Sequence, residues 1–398
     1  MIRWQLPAYS PLALGRILSA ALDAAIGAEG PLERLAEHLQ SEFRAERAIL
    51  TDSGTHALQL ALSGAKARAP GRPVALPAYT CFDVATAALA GDVPAVFYDV
   101  EPTTLAPDLG TVRSCLDAGA STVVANSLYG FPLDWGALQE LCVQRGALLI
   151  EDAAQGNGSA WQGQGWGRFG DLTVLSFGRG KGWTGGVGGA LLVRREEDLP
   201  PAAIPLPDAA STGMGAKAFA LSLAQWGLGR PLLFGVPQTL PGLGLGETTL
   251  HLPTPASGMP AFAASCVLRH EALALGRGPD RRSQARRWDE ALQGVSGVSP
   301  CRPLAEEDCG YLRYPVRASA SVARALDSPA ARRGGVARGY PRALPDLPEL
   351  EALGGGPDVH APGARELARA LRTLPVHSIV EEVDRRRVLG VLARPVTL

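Results

Sequence analysis

Between residues 45 and 195 the chain alternates short β-rich apolar runs with stretches of helical periodicity, and few folds accept that alternation. The predicted strands are Val74–Leu76, Ala95–Asp99, Thr122–Ala125, Ala147–Glu151, Leu172–Phe177 and Gly189–Val193. Between them, Thr55–Ala67, Val84–Ala90 and Leu133–Arg145 repeat apolar residues at the helical period. Strands joined by helices pair in parallel, and each crossover lays a helix on a sheet face. The expected fold class is α/β, with a mostly parallel sheet covered by helices. In such a sheet a ligand sits beyond the carboxyl ends of the strands. With 398 residues, 46% of them hydrophobic, the chain is long enough to bury this core and a smaller second one.

Two chemically distinctive residues fall just past predicted strand ends. Asp152 stands in Leu149-Ile-Glu-Asp-Ala-Ala-Gln, and Lys181 in Ser176-Phe-Gly-Arg-Gly-Lys-Gly-Trp. An amine that condenses with an aldehyde, beside an acid that keeps a pyridine nitrogen protonated, is what pyridoxal 5'-phosphate (PLP) chemistry requires. The competing reading is a surface lysine and a half-buried acid. Thr51-Asp-Ser-Gly-Thr-His-Ala-Leu puts small polar residues directly before an apolar-periodic helix. A helix N-terminus suits a phosphate; Gly54 permits close backbone approach and Thr55 adds a hydroxyl. An ordinary cap by Ser53 or Thr55 explains the same residues. Ser176 is a second phosphate candidate, and Arg179 a further one unless it is simply solvated.

Composition removes several classes. Thirty-eight basic and 39 acidic residues give a net charge of −1 with no basic stripe, which argues against nucleic acid as a partner. Six scattered cysteines without a Cys-x-x-Cys pair read as free thiols in a reducing cytoplasm, and six scattered histidines give no metal centre. The N-terminus lacks a signal-peptide pattern, with Leu12–Ile26 reading as an amphipathic helix; no apolar run reaches membrane-span length. The expected location is the cytoplasm.

The expected domains are 1–260, large and cofactor-binding, and 261–398, small and C-terminal. Residues 198–260 stand apart: a Pro/Ala/Ser-rich loop, an apolar helix near Ala218–Trp226, then a Pro/Gly-rich run from Pro237 to Pro260. Helical periodicity then runs from Ala261 to Leu292. A strand at Tyr311–Val316 and helices at Val322–Leu326, Gly363–Leu371 and Glu382–Leu392 complete the pattern. Arg281, Arg282, Arg286 and Arg287 read as a solvated helix face, with a nucleotide diphosphate site as the alternative.

Taken in order, a set of motifs resembles the DegT/DnrJ/StrS family of PLP-dependent sugar aminotransferases, which have the fold type I (aspartate-aminotransferase) architecture. The motifs are Ser53-Gly-Thr-His-Ala-Leu, Pro77-Ala-Tyr-Thr, Val96-Phe-Tyr-Asp-Val, Leu128-Tyr-Gly with Asp134, Glu151-Asp-Ala-Ala-Gln, Phe169-Gly-Asp through Ser176-Phe to Lys181, and Pro362-Gly-Ala-Arg-Glu-Leu-Ala. The resemblance implies that Lys181 bonds the cofactor and moves the proton, while Asp152 faces the pyridine nitrogen. It places Gln155 at the ring oxygen or the adjoining substrate, and Gly54, Thr55 and Ser176 at the phosphate. Cys81 takes the ring-facing position where the family usually has an aromatic, with Phe82 or Tyr79 as substitutes, and Tyr129 lies nearby.

The implied activity moves an amino group, with L-glutamate as donor, to a nucleotide- or lipid-linked keto sugar in polysaccharide or secondary-metabolite biosynthesis. A homodimer is implied as well. Deoxysugar dehydration is an alternative, although the family's dehydratases carry histidine where Lys181 stands. A non-catalytic binding or regulatory role is a third reading. The chain departs from the family at Gly182, where asparagine is usual, at Val187, where glutamate is usual, and through the middle segment. The family's Asn- and Arg-containing segment has no clear match there; His251 and Arg269 are the nearest substitutes, each better read as a surface or packing residue. The apolar stretch 216–236 reads as a subunit interface or as a peripheral membrane contact.

Overall fold

The computed structural model describes residues 3–27, 30–211, 213–239 and 248–393. A seven-stranded sheet organises the first half of the chain. Its strands are β1 (Arg47–Thr51), β2 (Val74–Pro77), β3 (Ala95–Tyr98), β4 (Thr122–Asn126), β5 (Leu148–Asp152), β8 (Leu172–Ser176) and β9 (Gly189–Val193); β6 (Ala160–Trp161) and β7 (Gln164–Gly165) form a separate small hairpin. The spatial order is β1-β9-β8-β5-β4-β2-β3. Strands β3, β2, β4, β5 and β8 run parallel, while β9 joins β8 and β1 antiparallel. β4 and β5 are buried along their whole length, as unbroken apolar runs covered on two faces should be.

Parallel register sets the site. Asn126 pairs with Asp152, and Asp152 with Val174, so β4, β5 and β8 finish together at one edge. Helices α1 (Leu14–Ala25), α2 (Pro31–Phe43), α3 (Gly54–Arg68), α4 (Phe82–Gly91), α5 (Leu109–Asp117) and α6 (Trp135–Arg145) fill the connections in this half. Local caps fix their starts: Ser53 accepts from the His56 N–H (3.2 Å), Asp108 from Gly110 (2.8 Å) and Asp134 from Ala137 (3.1 Å). Gly146, at φ +61°, ends α6 in the left-handed turn that glycine takes without strain.

The middle segment contains α7 (Met214–Leu228) and α8 (Gly235–Thr239). Residues 240–247 of the expected Pro/Gly run lie outside the described residues. Among the described residues no helix is long and apolar enough to cross a membrane. The helical pattern expected over Ala261–Leu292 divides into α9 (Ala261–Leu275) and α10 (Gly278–Ala291), because Gly276 and Pro279 interrupt it. α9 packs on α1 and α2.

A second, antiparallel sheet follows, ordered β10-β11-β13-β12: β10 (Val298–Pro300), β11 (Tyr314–Ala318), β12 (Ala337–Arg338) and β13 (Leu371–Leu374). Around it lie α11 (Ala320–Leu326), α12 (Pro329–Arg333), α13 (Pro362–Ala370) and α14 (Glu382–Leu392). Asp99, just past β3, accepts the Gly363 and Ala364 N–H groups (2.8 Å each), capping α13 across the chain.

The N-terminal strand of chain is tied to this second sheet. Arg3 Nη2 and Nε each reach Asp384 at 3.0 Å, Gln5 Nε2 donates to the same carboxylate at 2.7 Å, and His377 Nε2 donates to the Leu6 carbonyl at 2.8 Å. Burial is the main cause that pushes the His377 pKa down to about 4; Arg281 and Arg313 add to it, against the Leu6 contact and Asp384. A folded pKa below the unfolded value means that the native state binds fewer protons in this window. Stability is therefore fully present above about pH 6.5 and lost toward pH 4, by about 1.4 kcal/mol per pH unit. Chemical denaturation between pH 7 and 5 should show this slope, and His377→Gln should flatten it.

Candidate functional site

Asp152 ends β5, and Lys181 lies in the loop joining β8 to β9. Burial raises the Asp152 pKa, and the charge of nearby Lys181 opposes that rise. Among the described residues the carboxylate has one hydrogen bond, from the Ala154 N–H at 3.1 Å. A buried acid with so little support is suited to a cationic partner. Lys181 is one of three lysines; Lys66 pairs with Asp92 on the surface (2.9 Å) and Lys217 is exposed. Lys181 alone stands at the strand ends.

The same lysine charge acts on Cys81, the residue before α4. Burial, with the Asp83 carboxylate, pushes that thiol up to about 12, and its Sγ donates to Asp83 at 3.2 Å. Cys81 is a neutral thiol at physiological pH and not a nucleophile. Phe82 and Tyr79 are both buried.

Gly54 is the first residue of α3 and lies against the end of β8. A Cβ there would stand 2.7 Å from Ser176 Cβ, so only glycine lets the helix start approach the strand end. This brings Thr55 and Ser176 to one place. Neither hydroxyl has a hydrogen-bond partner among the described residues. Ser53 is the cap, as one of the two sequence readings had it, which leaves Thr55 available. His56 braces the turn: Nδ1 meets Asp52 at 2.5 Å and Nε2 meets Thr254 at 3.0 Å. The donor set fits a phosphate: a helix N-terminus, a glycine and two free hydroxyls.

Gln155 follows Asp152 by a short turn. Its Oε1 accepts the Tyr129 N–H at 3.1 Å, and its Nε2 donates to Tyr340 Oη at 2.8 Å. Tyr129 holds a left-handed φ of +55°, a conformation costing a non-glycine residue about 1 kcal/mol or more. Tyr340 lies parallel to Tyr129 (centroids 6.4 Å) and inclined to Tyr79 (5.5 Å), and its N–H donates to Tyr79 Oη at 2.9 Å. Burial pushes the Tyr129 phenol up to about 12. The sequence pointed to Tyr129 but not to Tyr340, which arrives from the second sheet through long-range packing that no local pattern signals.

One expectation is overturned. Arg281 is not solvated; it is buried, and its guanidinium donates to Asn157 O (2.9 Å), Asn157 Oδ1 (2.8 Å) and Gly310 O (3.2 Å). Burial, with neighbouring Arg277 and Arg282, pushes its pKa down to about 10. The other three arginines remain more open. Arg269 pairs with Asp23 at 2.7 Å, and the His251 side chain is exposed, in line with their reading as surface and packing residues.

The Arg281–Asn157 pair explains a departure from the family pattern. A Cβ on Gly182 would meet Asn157 Oδ1 at 2.7 Å and Arg281 Nη2 at 3.0 Å, and Gly182 itself sits at φ +85°. The Gly182 N–H is fixed by Ser10 Oγ (3.0 Å), and Gly180 at φ +80° flanks the lysine on the other side. Gly182→Ala should therefore displace the Lys181 loop. The expected result is a loss of about 2 kcal/mol in a denaturant melt, from strain plus contact.

Residues 17–206 match the DegT/DnrJ/EryC1/StrS aminotransferase family. The chain is 32% identical over 179 residues to the L-glutamine:2-deoxy-scyllo-inosose aminotransferase of Streptomyces kanamyceticus, covering 44% of this chain and 42% of that protein. It is 30% identical over 193 residues to the GDP-perosamine synthase of Vibrio cholerae, covering 47% and 52%. The chain thus spans about half or less of the length of these curated relatives. Over the whole fold it superposes on a DegT/DnrJ/EryC1/StrS aminotransferase from Brucella abortus with a TM-score of 0.71, at 20% identity and with 95% and 94% coverage. That likeness establishes a PLP fold type I architecture. The matched segment 17–206 is just under half of the chain and contains Asp152, Lys181 and the α3 cradle.

Proposed function

We propose that the chain is a PLP-dependent aminotransferase that passes an amino group from an amino acid to a keto sugar in amino-sugar biosynthesis. The observation that carries the reading is the meeting of Lys181 and Asp152 at adjacent strand ends, beside two unpartnered hydroxyls at a glycine-opened helix start. Thr55, Ser176 and the α3 N-terminus would hold the phosphate, Asp152 the pyridine nitrogen, and Lys181 the aldehyde carbon. When bound, the cofactor supplies the electron sink for a carbanion at the substrate carbon.

The chain's own residues supply the rest. With the cofactor bound, the Lys181 amine would carry the proton taken from the substrate carbon. The Asp152 carboxylate would face the ring nitrogen and favour its protonated form. The Gln155 amide, aimed by Tyr129 and Tyr340, presents a fixed hydrogen-bonding group beside the reacting atoms. Cys81 faces the ring as a neutral, weakly polar surface.

The donor is L-glutamate on this reading; L-glutamine appears in the names of three relatives and is the first alternative. The acceptor is a keto sugar on a nucleotide or lipid carrier. We place the protein in the cytoplasm as a homodimer, divided near residue 260 into a larger cofactor-holding part and a smaller C-terminal part.

The test is an absorbance spectrum of the purified chain with PLP, before and after each amino acid. A visible band that one of them bleaches to the pyridoxamine spectrum supports the reading. A band indifferent to both donors favours another PLP reaction. No band, with no change in melting temperature on adding PLP, would sink the cofactor assignment.

A further inference from the structure

Beside the Lys181 loop lies a cavity of about 530 Å³ that reaches Gly180, the residue before the lysine. Leu6, Pro7, Ala8, Leu221, Leu228 and Phe234 give it apolar walls. The charged residues lining it are two arginines, Arg179 and Arg313, with no acid among the described lining residues. Arg313 immediately precedes β11 and is half-buried; its charge acts on Tyr129 and Tyr340, the rings that flank Gln155. Neither arginine has a hydrogen bond or ion pair among the described residues, whereas thirteen other arginines there are paired with a carboxylate. Arg179 is exposed on its loop, and Arg313 is the half-buried one of the pair.

Unpaired guanidinium groups on a cavity wall call for a carboxylate or phosphate from outside the chain. An amino acid would leave most of the cavity empty, since its volume is that of a pocket for a drug-sized ligand. The walls offer a nucleotide few free partners: of the polar side chains Tyr9, Ser10, Gln225 and Gln238, the Gln225 amide is given to the Ser10 carbonyl (3.3 Å) and the Ser10 hydroxyl takes the Gly182 N–H (3.0 Å). The apolar lining instead continues outward over exposed Leu221, Leu228, Leu232 and Val236. Both α7 and α8 lie beyond residue 206, where the family match ends.

We propose that this cavity takes the acceptor, and that the acceptor is a keto sugar whose phosphate is esterified to an apolar chain. Arg313, with Arg179, binds the phosphate; α7 and residues 6–10 cover the first part of the chain. The assignment rests on the aminotransferase reading for the identity of the acceptor, but its binding chemistry does not.

The test is calorimetric titration of the full chain, with and without PLP, using octyl phosphate, uridine diphosphate and inorganic phosphate. Octyl phosphate should bind at least about tenfold tighter than either of the others. Arg313→Gln should weaken it by about tenfold or more, and Leu221→Gln, a change at an exposed position that leaves folding intact, by about threefold. Arg179→Gln, in an open loop, serves if Arg313→Gln does not fold, and should weaken octyl phosphate by about threefold. Uridine diphosphate binding as tightly as octyl phosphate would overturn the proposal in favour of a nucleotide carrier. Equal affinity for inorganic and octyl phosphate would reduce the site to a bare anion site, and octyl phosphate affinity unchanged in the arginine variants would place binding elsewhere. Because these titrations need no turnover, a failed donor half-reaction overturns the aminotransferase reading alone, and a lost octyl phosphate preference overturns the cavity assignment alone.

Discussion

Replacing Lys181 by alanine is expected to abolish turnover, by about 10⁴-fold or more, while the chain still folds. The lysine has two roles in the proposed chemistry, covalent attachment and proton transfer, and no other lysine is placed to substitute, since Lys66 is held by Asp92 and Lys217 is exposed. A loss of that size corresponds to about 5.5 kcal/mol of transition-state stabilisation. Folding should survive because the Lys181 side chain makes no hydrogen bond within the described chain, and the loop is set by Gly180, Gly182 and Ser10. Steady-state assay together with a melting curve separates the two effects. Activity within tenfold of wild type would contradict the assignment.

Asp152→Asn is expected to move function and stability in opposite directions. Burial raises the carboxyl pKa in the folded chain, so without cofactor the native state binds a proton more readily than the unfolded state does. The contribution of this group to stability is full below the unfolded pKa and is lost as pH rises through the folded one. At neutral pH the free protein therefore carries a buried charge at a cost, which the isosteric amide removes. The apo variant should melt at or above the wild-type temperature. PLP affinity should fall, and the donor half-reaction should slow by roughly 10²-fold, because the amide cannot hold a proton on the ring nitrogen. A variant less stable without PLP, with an unchanged half-reaction, would mean that Asp152 is a structural acid and that another group faces the ring.

The parallel core was legible in the sequence because its strands are buried on both faces. Val74–Leu76, Thr122–Ala125 and Leu172–Phe177 read as short β-rich, mostly apolar runs between helical stretches, and each lies within a residue or two of the observed strand. Their ends place Asp152 and Lys181 together, and Gly54 marks the cradle because close approach admits no side chain. Strand β1 was missed: Arg47–Thr51 is short and mixed, and pairs with the distant β9. β13 was missed because Leu371–Leu374 follows α13 directly, and its position is fixed by β11 and β12.

Arg281 shows most clearly why the rest of the site was not legible. Four arginines at helical spacing look like a solvated face, and only the tertiary fold reveals that one is plugged by Asn157 and Gly310 carbonyls. Tyr340 and Arg313 likewise reach the site from the second sheet, at a sequence separation that no local period records.

The account is tested most directly by finding where the cofactor attaches. The chain would be incubated with PLP, reduced with borohydride, digested and mapped by mass spectrometry. The expected result is a single pyridoxyl adduct on the peptide containing Lys181, diminished when L-glutamate or L-glutamine is added before reduction. An adduct on Lys66 or Lys217 with Lys181 unmodified, or no adduct at all, would contradict the central claim.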